Sequence, residues 1–347
     1  MSPTRRGGNL GRGARRAARR VALFAACLLL AACVPLSTLW PSGVGADRIA
    51  VLSWFLIITA GVIYAIVMGA MVIAMVRNRA APRAPVDMTP VSTRPVAIGG
   101  AILPGIVLAV VFVVGISIMG AFPQRTPRGQ LTIHVIAHQW WWEAKYNYPA
   151  LQQRFTTANE LHVPVGIPVQ IFLTSNDVIH SFWVPRLQGK LDVIPGDTND
   201  LRILAKQPGI YRGTCAEFCG VQHAHMGLIV VADPPPRFQA WATAQLAPGV
   251  APTDSLTRLG QQMFVTGPCA LCHTVRGTAA RGTVGPDLTH VGSRTTIGAG
   301  LIPNTLGSLG GWIANAQALK PGSMMPPNTQ FTGVQLRALA TYVSSLK

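Results

Sequence analysis

Three stretches of the chain, residues 21–34, 49–76 and 96–122, are almost free of charge, whereas the remainder mixes apolar and polar positions as a globular protein does. As a helix the second stretch would be roughly 42 Å long against roughly 30 Å of hydrocarbon, and the third is similar, so both are predicted to cross a membrane. Pro104 inside the third is compatible with a membrane helix, because neighbouring helices can re-satisfy the freed backbone groups. Past residue 123 the period changes. LTIHVIAH, PVQIFLTS, DLRILAK and GLIVVAD are short runs with β-branched residues and turn punctuation, which predict an all-β sandwich or barrel. DPPPRF and the Ala-, Gln-, Pro- and Gly-containing stretch after it predict a linker over 236–253. From Asp254 the pattern turns helical: DSLTRLGQQMF and TGVQLRALATYVSSL flank a Gly-rich middle, and the chain contains no internal repeat.

Charge fixes the orientation. The formal net charge is +17, yet Arg5, Arg6, Arg12, Arg15, Arg16, Arg19 and Arg20 all precede the first apolar run, which argues for an export signal over residues 1–33 and against a nucleic-acid partner. That run closes on LAAC, so Cys33 is a candidate for lipid attachment; a plain anchor helix with a chance cysteine is the alternative. The connector between the two long apolar stretches carries Arg77, Arg79, Arg83 and Arg94 against Asp87. By the positive-inside rule it is cytoplasmic, and everything beyond residue 123 is expected outside, on the periplasmic or extracellular face of a bacterial inner membrane.

The exported part holds two concentrations of soft ligands. In CAEFCGVQHAHM, Cys215, Cys219, His223 and Met226 lie within twelve positions. A disulfide would account for the cysteines alone; thiolate, imidazole and thioether together are what copper needs, with one ligand still to come from another strand. His180, at the end of an apolar run in SNDVIHSFWVP, is the candidate. A blue site with a single copper would need only one cysteine. The second concentration is CALCH, Cys269 to His273, a c-type haem attachment motif in which two thiols add to the haem and the histidine ligates iron. Zinc would require a fourth ligand at suitable spacing, and none accompanies it.

HSFWVP, KLDVIPG, GTCAEFCG and HAHM together resemble the copper A domain of subunit II of haem-copper cytochrome c oxidases. AHQWWWEAKYNYP resembles the aromatic stretch of that family, and GPDL and LKPGSMMPP resemble class I cytochromes c. The resemblance implies a multidomain fold: a two-helix transmembrane hairpin over 34–123, an all-β cupredoxin-like domain over 124–235 and an all-α class I cytochrome c domain over 254–347. It implies that Cys215 and Cys219 bridge two copper ions, that His180 and His223 cap one each, that Met226 is a weak ligand and that Glu217 contributes its carbonyl. The Glu217 side chain would reach a magnesium or manganese ion at a subunit interface, and Trp140 would receive electrons from an external cytochrome. In the haem domain it implies His273 and Met325 as axial ligands, with Met324 the runner-up, and Pro286 orienting the histidine. Gly260, Phe264, Leu339 and Tyr342 would form the contact between first and last helices.

The implied function is that of an oxidoreductase subunit passing electrons from haem c through copper A to subunit I, where oxygen is reduced to water and protons are pumped. Subunit III, a cytochrome c or bc complex as donor and the lipid bilayer would be the further partners. Two departures stand beside it. Ala97 occupies the position where a glutamate often marks proton uptake, and residues 123–347 carry an excess of Lys and Arg where this family usually presents carboxylates. A copper A subunit of a nitric oxide reductase and a membrane-tethered carrier acting alone are the alternatives. His134, His138 and His162 are expected to be structural, His225 solvated or supporting a ligand, and His290 on the surface.

Overall fold

The computed structural model describes residues 36–79, 92–120, 131–149 and 152–347; the export signal with Cys33 lies outside them, as does most of the arginine-rich connector. Helix α1, Val44–Arg79, begins five residues before the apolar run. Its start is held by the β domain: the Ser42 and Gly43 N–H groups donate to Arg186 O at 2.7 and 3.0 Å, and Lys206 pairs with Asp47 at 2.5 Å. The second span opens with one helical turn, Arg94–Ala97, passes through a π-helical segment, Ile98–Ile102, and continues as α2, Leu103–Gly120, which packs on α1. The wider π turn is the physical answer to Pro104, which has no N–H to donate and would crowd the carbonyl four residues back in a regular helix. Both helices are long and apolar enough to cross a membrane.

Ten strands form a sandwich of two five-stranded sheets. They are β1 Thr132–His138, β2 Trp141–Tyr148, β3 Gln153–Ala158, β4 Glu160–Pro164, β5 Val169–Ser175, β6 His180–Trp183, β7 Leu191–Val193, β8 Asn199–Ile203, β9 Gly209–Cys215 and β10 Gly227–Asp233. One sheet runs β3-β2-β1-β5-β8 and the other β4-β10-β9-β6-β7. Within β1 the buried residues Ile133, Val135 and Ala137 alternate with outward ones, the signature of a strand with one face on a core. Trp142, Leu173, Phe182 and Leu228 fill the space between the sheets.

The expected linker is half wrong. Residues 235–244 form helix α3, Pro235–Ala244, with Pro235 in the first turn, where its missing N–H costs nothing. Phe238 and Ala242 are buried against the sandwich, and Trp241 stacks on His162 at 4.1 Å. The prolines thus start a docked helix instead of extending a tether.

The C-terminal domain consists of α4 Ser255–Thr266, α5 Leu306–Leu319 and α6 Gly333–Ser345, with a short turn at Cys269–Cys272. Capping boxes at Asp254/Thr257 and Thr332/Gln335 satisfy the first N–H groups of α4 and α6. These two helices cross at Gly260, where any β-carbon would lie 2.1 Å from Ala338 O, and Phe264 meets Tyr342 edge-on at 5.8 Å. The expected contact of first and last helices, with Leu339 and Tyr342 buried, is therefore present.

Candidate copper and haem sites

Neighbouring strands bring the soft ligands together. His180 opens β6, Cys215 closes β9, and β6 pairs with β9 in a register that sets Phe182 opposite Cys215. The loop between β9 and β10 supplies Glu217, Cys219, His223 and Met226, and is closed by a 2.8 Å bond from Cys215 N to Met226 O. The two Sγ atoms are free thiols 3.7 Å apart. His180 Nδ1 lies 3.8 Å from Cys215 Sγ, and His223 Nδ1 lies 3.8 Å from Cys219 Sγ. Met226 Sδ is 3.8 Å from Cys219 Sγ, and Glu217 O lies 3.2 Å from Cys215 Sγ. Each imidazole thus belongs to one sulfur of the pair. Cys215, Cys219, His180 and Met226 are at most 3% exposed, so the donors are dry.

The thiols are in electrostatic conflict. Close contact with Cys219 lowers Cys215 against the opposing effect of burial, and the contact with Cys215, with burial, raises Cys219, so the two thiols do not ionise together. Two anions cannot share so small a space without cations between or beside them. A soft metal cation beside the sulfurs would remove the conflict, since a coordinating thiol is deprotonated outright. His180, which burial would lower, is raised by its bonds to Cys215 and Asp177. Asp177 accepts from His180 Nε2 at 2.8 Å and from Gln139 N at 2.6 Å, which fixes the ring with Nδ1 toward the sulfur.

The second site is an apolar cavity of about 690 Å³ whose walls include Cys269, Cys272, His273, Met324 and Met325. Burial lowers His273, and its Nδ1 donates to Pro286 O at 2.8 Å, so the neutral ring keeps Nε2 free as a ligand. Met325 is half-buried while Met324 is 78% exposed. Arg294 also lines the cavity, is 9% exposed, and has a buried Nε without a partner. A buried guanidinium in a haem-sized apolar space fits a planar ligand with carboxylate substituents. Cavity, thiols, axial donors and cation all suit haem.

Trp140 joins the sites. It lines the cavity, and its indole N–H donates to Cys219 O at 2.9 Å, beside a 2.8 Å bond from Gln139 Nε2 to the same oxygen. Trp141 lies partly open against His138, whereas Trp142 is fully buried core. The remaining histidines divide as follows. His134 stacks on Phe172, His138 bonds Glu143 at 3.4 Å, and His162 sits between Glu160 and Asp233. His225 is exposed and bonds Gln222. His290 is a correction: it is only 5% exposed, because its Nε2 bonds Ala247 O at 3.1 Å under the segment that follows α3. Sequence reasoning missed Lys320, whose acceptors lie far off in the chain, and Arg294, whose place in the cavity wall only the fold reveals.

Residues 148–233 match the family described as cytochrome c oxidase subunit II, periplasmic domain, and residues 257–347 match cytochrome c. Cytochrome c oxidase subunit 2 of Alkalihalophilus pseudofirmus is 38% identical over 215 residues, 62% of this chain and 61% of that protein. The protein of the same name from Bacillus sp. strain PS3 is 32% identical over 236 residues, 65% of this chain and 64% of its own length. The chain therefore spans somewhat over three fifths of these relatives. The crystal structure of the periplasmic domain of subunit II of cytochrome oxidase of Bradyrhizobium japonicum is 30% identical, covers 35% of this chain and 97% of that one, and superposes with a TM-score of 0.32.

Proposed function

We propose that this chain, which joins a cytochrome c oxidase subunit II periplasmic domain to a C-terminal cytochrome c domain, is the electron-accepting subunit of a bacterial inner-membrane oxidase. In this reading Cys215 and Cys219 would be shared between two copper ions, with His180, His223, Met226 and the Glu217 carbonyl as the further ligands, and haem c would be held by Cys269, Cys272, His273 and Met325. When bound, these groups supply one-electron transfer at high potential. The chain's own work is to orient and to exclude water. Asp177 and Pro286 each hold one ring nitrogen of a ligating histidine and so aim the other, at 2.8 Å in both cases. Burial of the sulfur cluster keeps solvent, and its reorganisation, away from the ligands.

A single observation carries this reading: Trp140 belongs to both sites, as a wall of the haem cavity and as a donor to the carbonyl of Cys219. A donor cytochrome would deliver electrons to the haem domain, and subunit I, with subunit III beside it, would receive them for reduction of oxygen to water coupled to proton pumping. The exposed carboxylate of Glu217 is free to meet a magnesium or manganese ion at the subunit I surface. The spans over 34–123 would anchor the chain in the bilayer, with 124–235 and 254–347 on the outer side. An electron delivered to haem c of the isolated full-length chain by a photoreductant should appear in the near-infrared band of the copper pair. Haem reduction with that band unchanged would contradict the assignment.

A further inference from the structure

Lys320 stands in the loop between α5 and α6 that carries Met325, and it is 3% exposed. No carboxylate pairs with it among the described residues. Its ammonium donates instead to three backbone carbonyls, Trp140 O at 2.8 Å, His225 O at 2.9 Å and Gly298 O at 3.1 Å. An ammonium has three N–H donors, and all three are used. The acceptors come from three separate places: the turn that presents Trp140, the turn between the candidate copper ligands His223 and Met226, and a loop of the haem domain. Neighbours reinforce the seat. Gln222 Nε2 donates to Pro321 O, and a β-carbon on Gly322 would lie 2.8 Å from Val221. The 298–300 loop does the same from the other side, with Ala299 O accepting from Gly227 N at 3.0 Å and Gly300 O from Arg212 at 3.0 Å. Gly298, Ala299 and Gly300 all have positive φ, a run that turns successive carbonyls outward toward the sandwich.

We propose that Lys320 is a positioning residue for electron transfer between the two sites: a buried three-way clamp that seats the methionine-bearing loop of the haem domain on Trp140 and the copper-ligand turn. This rests on the functional reading above. Burying an ammonium is costly unless its hydrogen bonds are made, so retaining one at a junction of three loops is best matched by a need to fix geometry, where a small misplacement costs much in rate. An uncharged apolar side chain would pack the space but would leave three carbonyls without a partner.

The test uses the full-length chain loaded with copper and haem c, comparing Lys320→Met and Lys320→Gln with the parent. Both variants should keep the haem spectrum and the near-infrared copper band. Photoinduced transfer from haem to copper should slow by about tenfold in K320M, given what loose support costs a positioned site, and less in K320Q, whose amide restores part of the bonding. Independently of turnover, peptides 223–227 and 296–300 should lose protection against hydrogen exchange in K320M. Unchanged transfer, within about twofold, in a fully loaded K320M would overturn the proposal. Loss of copper or haem in both variants would also overturn it, by making Lys320 a folding residue. If the parent chain itself transfers no electron, the functional reading has failed, and the hydrogen-exchange comparison still judges the clamp.

Discussion

At the scale of single residues, the sulfur pair decides what the copper site can be. Two thiols 3.7 Å apart, each with its own imidazole, give two half-sites that differ in their further donor, the Glu217 carbonyl beside Cys215 and the Met226 thioether beside Cys219. Cys219→Ser should therefore abolish copper binding and leave haem c attached, which absorption spectra in the near-infrared and visible would report separately. Met226→Leu keeps the volume of a fully buried side chain, so it should cost less than about 1.5 kcal/mol of stability while shifting the copper band. In the haem domain, replacing half-buried Met325 by leucine should remove a ligand and lower the haem potential, whereas the same change at exposed Met324 should leave redox titrations nearly unmoved. Much of this was legible in the sequence because these ligands are crowded into short motifs, so that residue type and spacing alone bring them near one another. Lys320 and Arg294 were not, since a buried cation acquires meaning only from the distant carbonyls and cavity around it.

At the scale of elements, the sequence conveyed strands and helices better than it conveyed their docking. Proline-rich DPPPRF reads as a tether by composition, and only the contact of Phe238, Ala242 and Trp241 with the sandwich reveals a packed helix. The same face holds a titrating junction. Glu160 accepts from Thr295 N at 2.8 Å and from the Thr295 hydroxyl, linking sandwich to haem domain, while its other oxygen lies 3.5 Å from His162 Nε2. Asp233, Arg237 and Tyr146 complete the surroundings. Burial alone would raise Glu160, but the bonds from His162 and Thr295 prevail and lower it below 4.5. Its contribution to stability is thus complete above pH 4.5 and lost as pH falls through the lowered value. Burial would lower His162, but the bonds to Asp233 and Glu160 raise it above 6.5, so its contribution is complete below pH 6.5 and lost as pH rises through the raised value. Calorimetry of the full chain should show greatest stabilisation from this cluster between those limits. Glu160→Gln should cost about 1–3 kcal/mol near neutral pH and flatten the acid limb; an acid limb identical to that of the parent would refute the role of Glu160.

At the scale of the whole molecule, the proposed function requires an anchored relay. The start of α1 is held to the sandwich through the backbone bonds of Ser42 and Gly43 to Arg186, and the C-terminal domain sits on the turn between the candidate copper ligands His223 and Met226. The arginine-rich connector predicts a sidedness that labelling can check. A cysteine at exposed Lys190 should react with a membrane-impermeant maleimide in intact spheroplasts, and one at Asp87 should react only after lysis. The reverse pattern would overturn the topology. What decides the account most directly is the metal content of the isolated, fully loaded polypeptide. Elemental analysis should return two copper atoms for each iron, the iron covalently attached as haem. One copper per iron, or none, would contradict a bridged pair at Cys215 and Cys219.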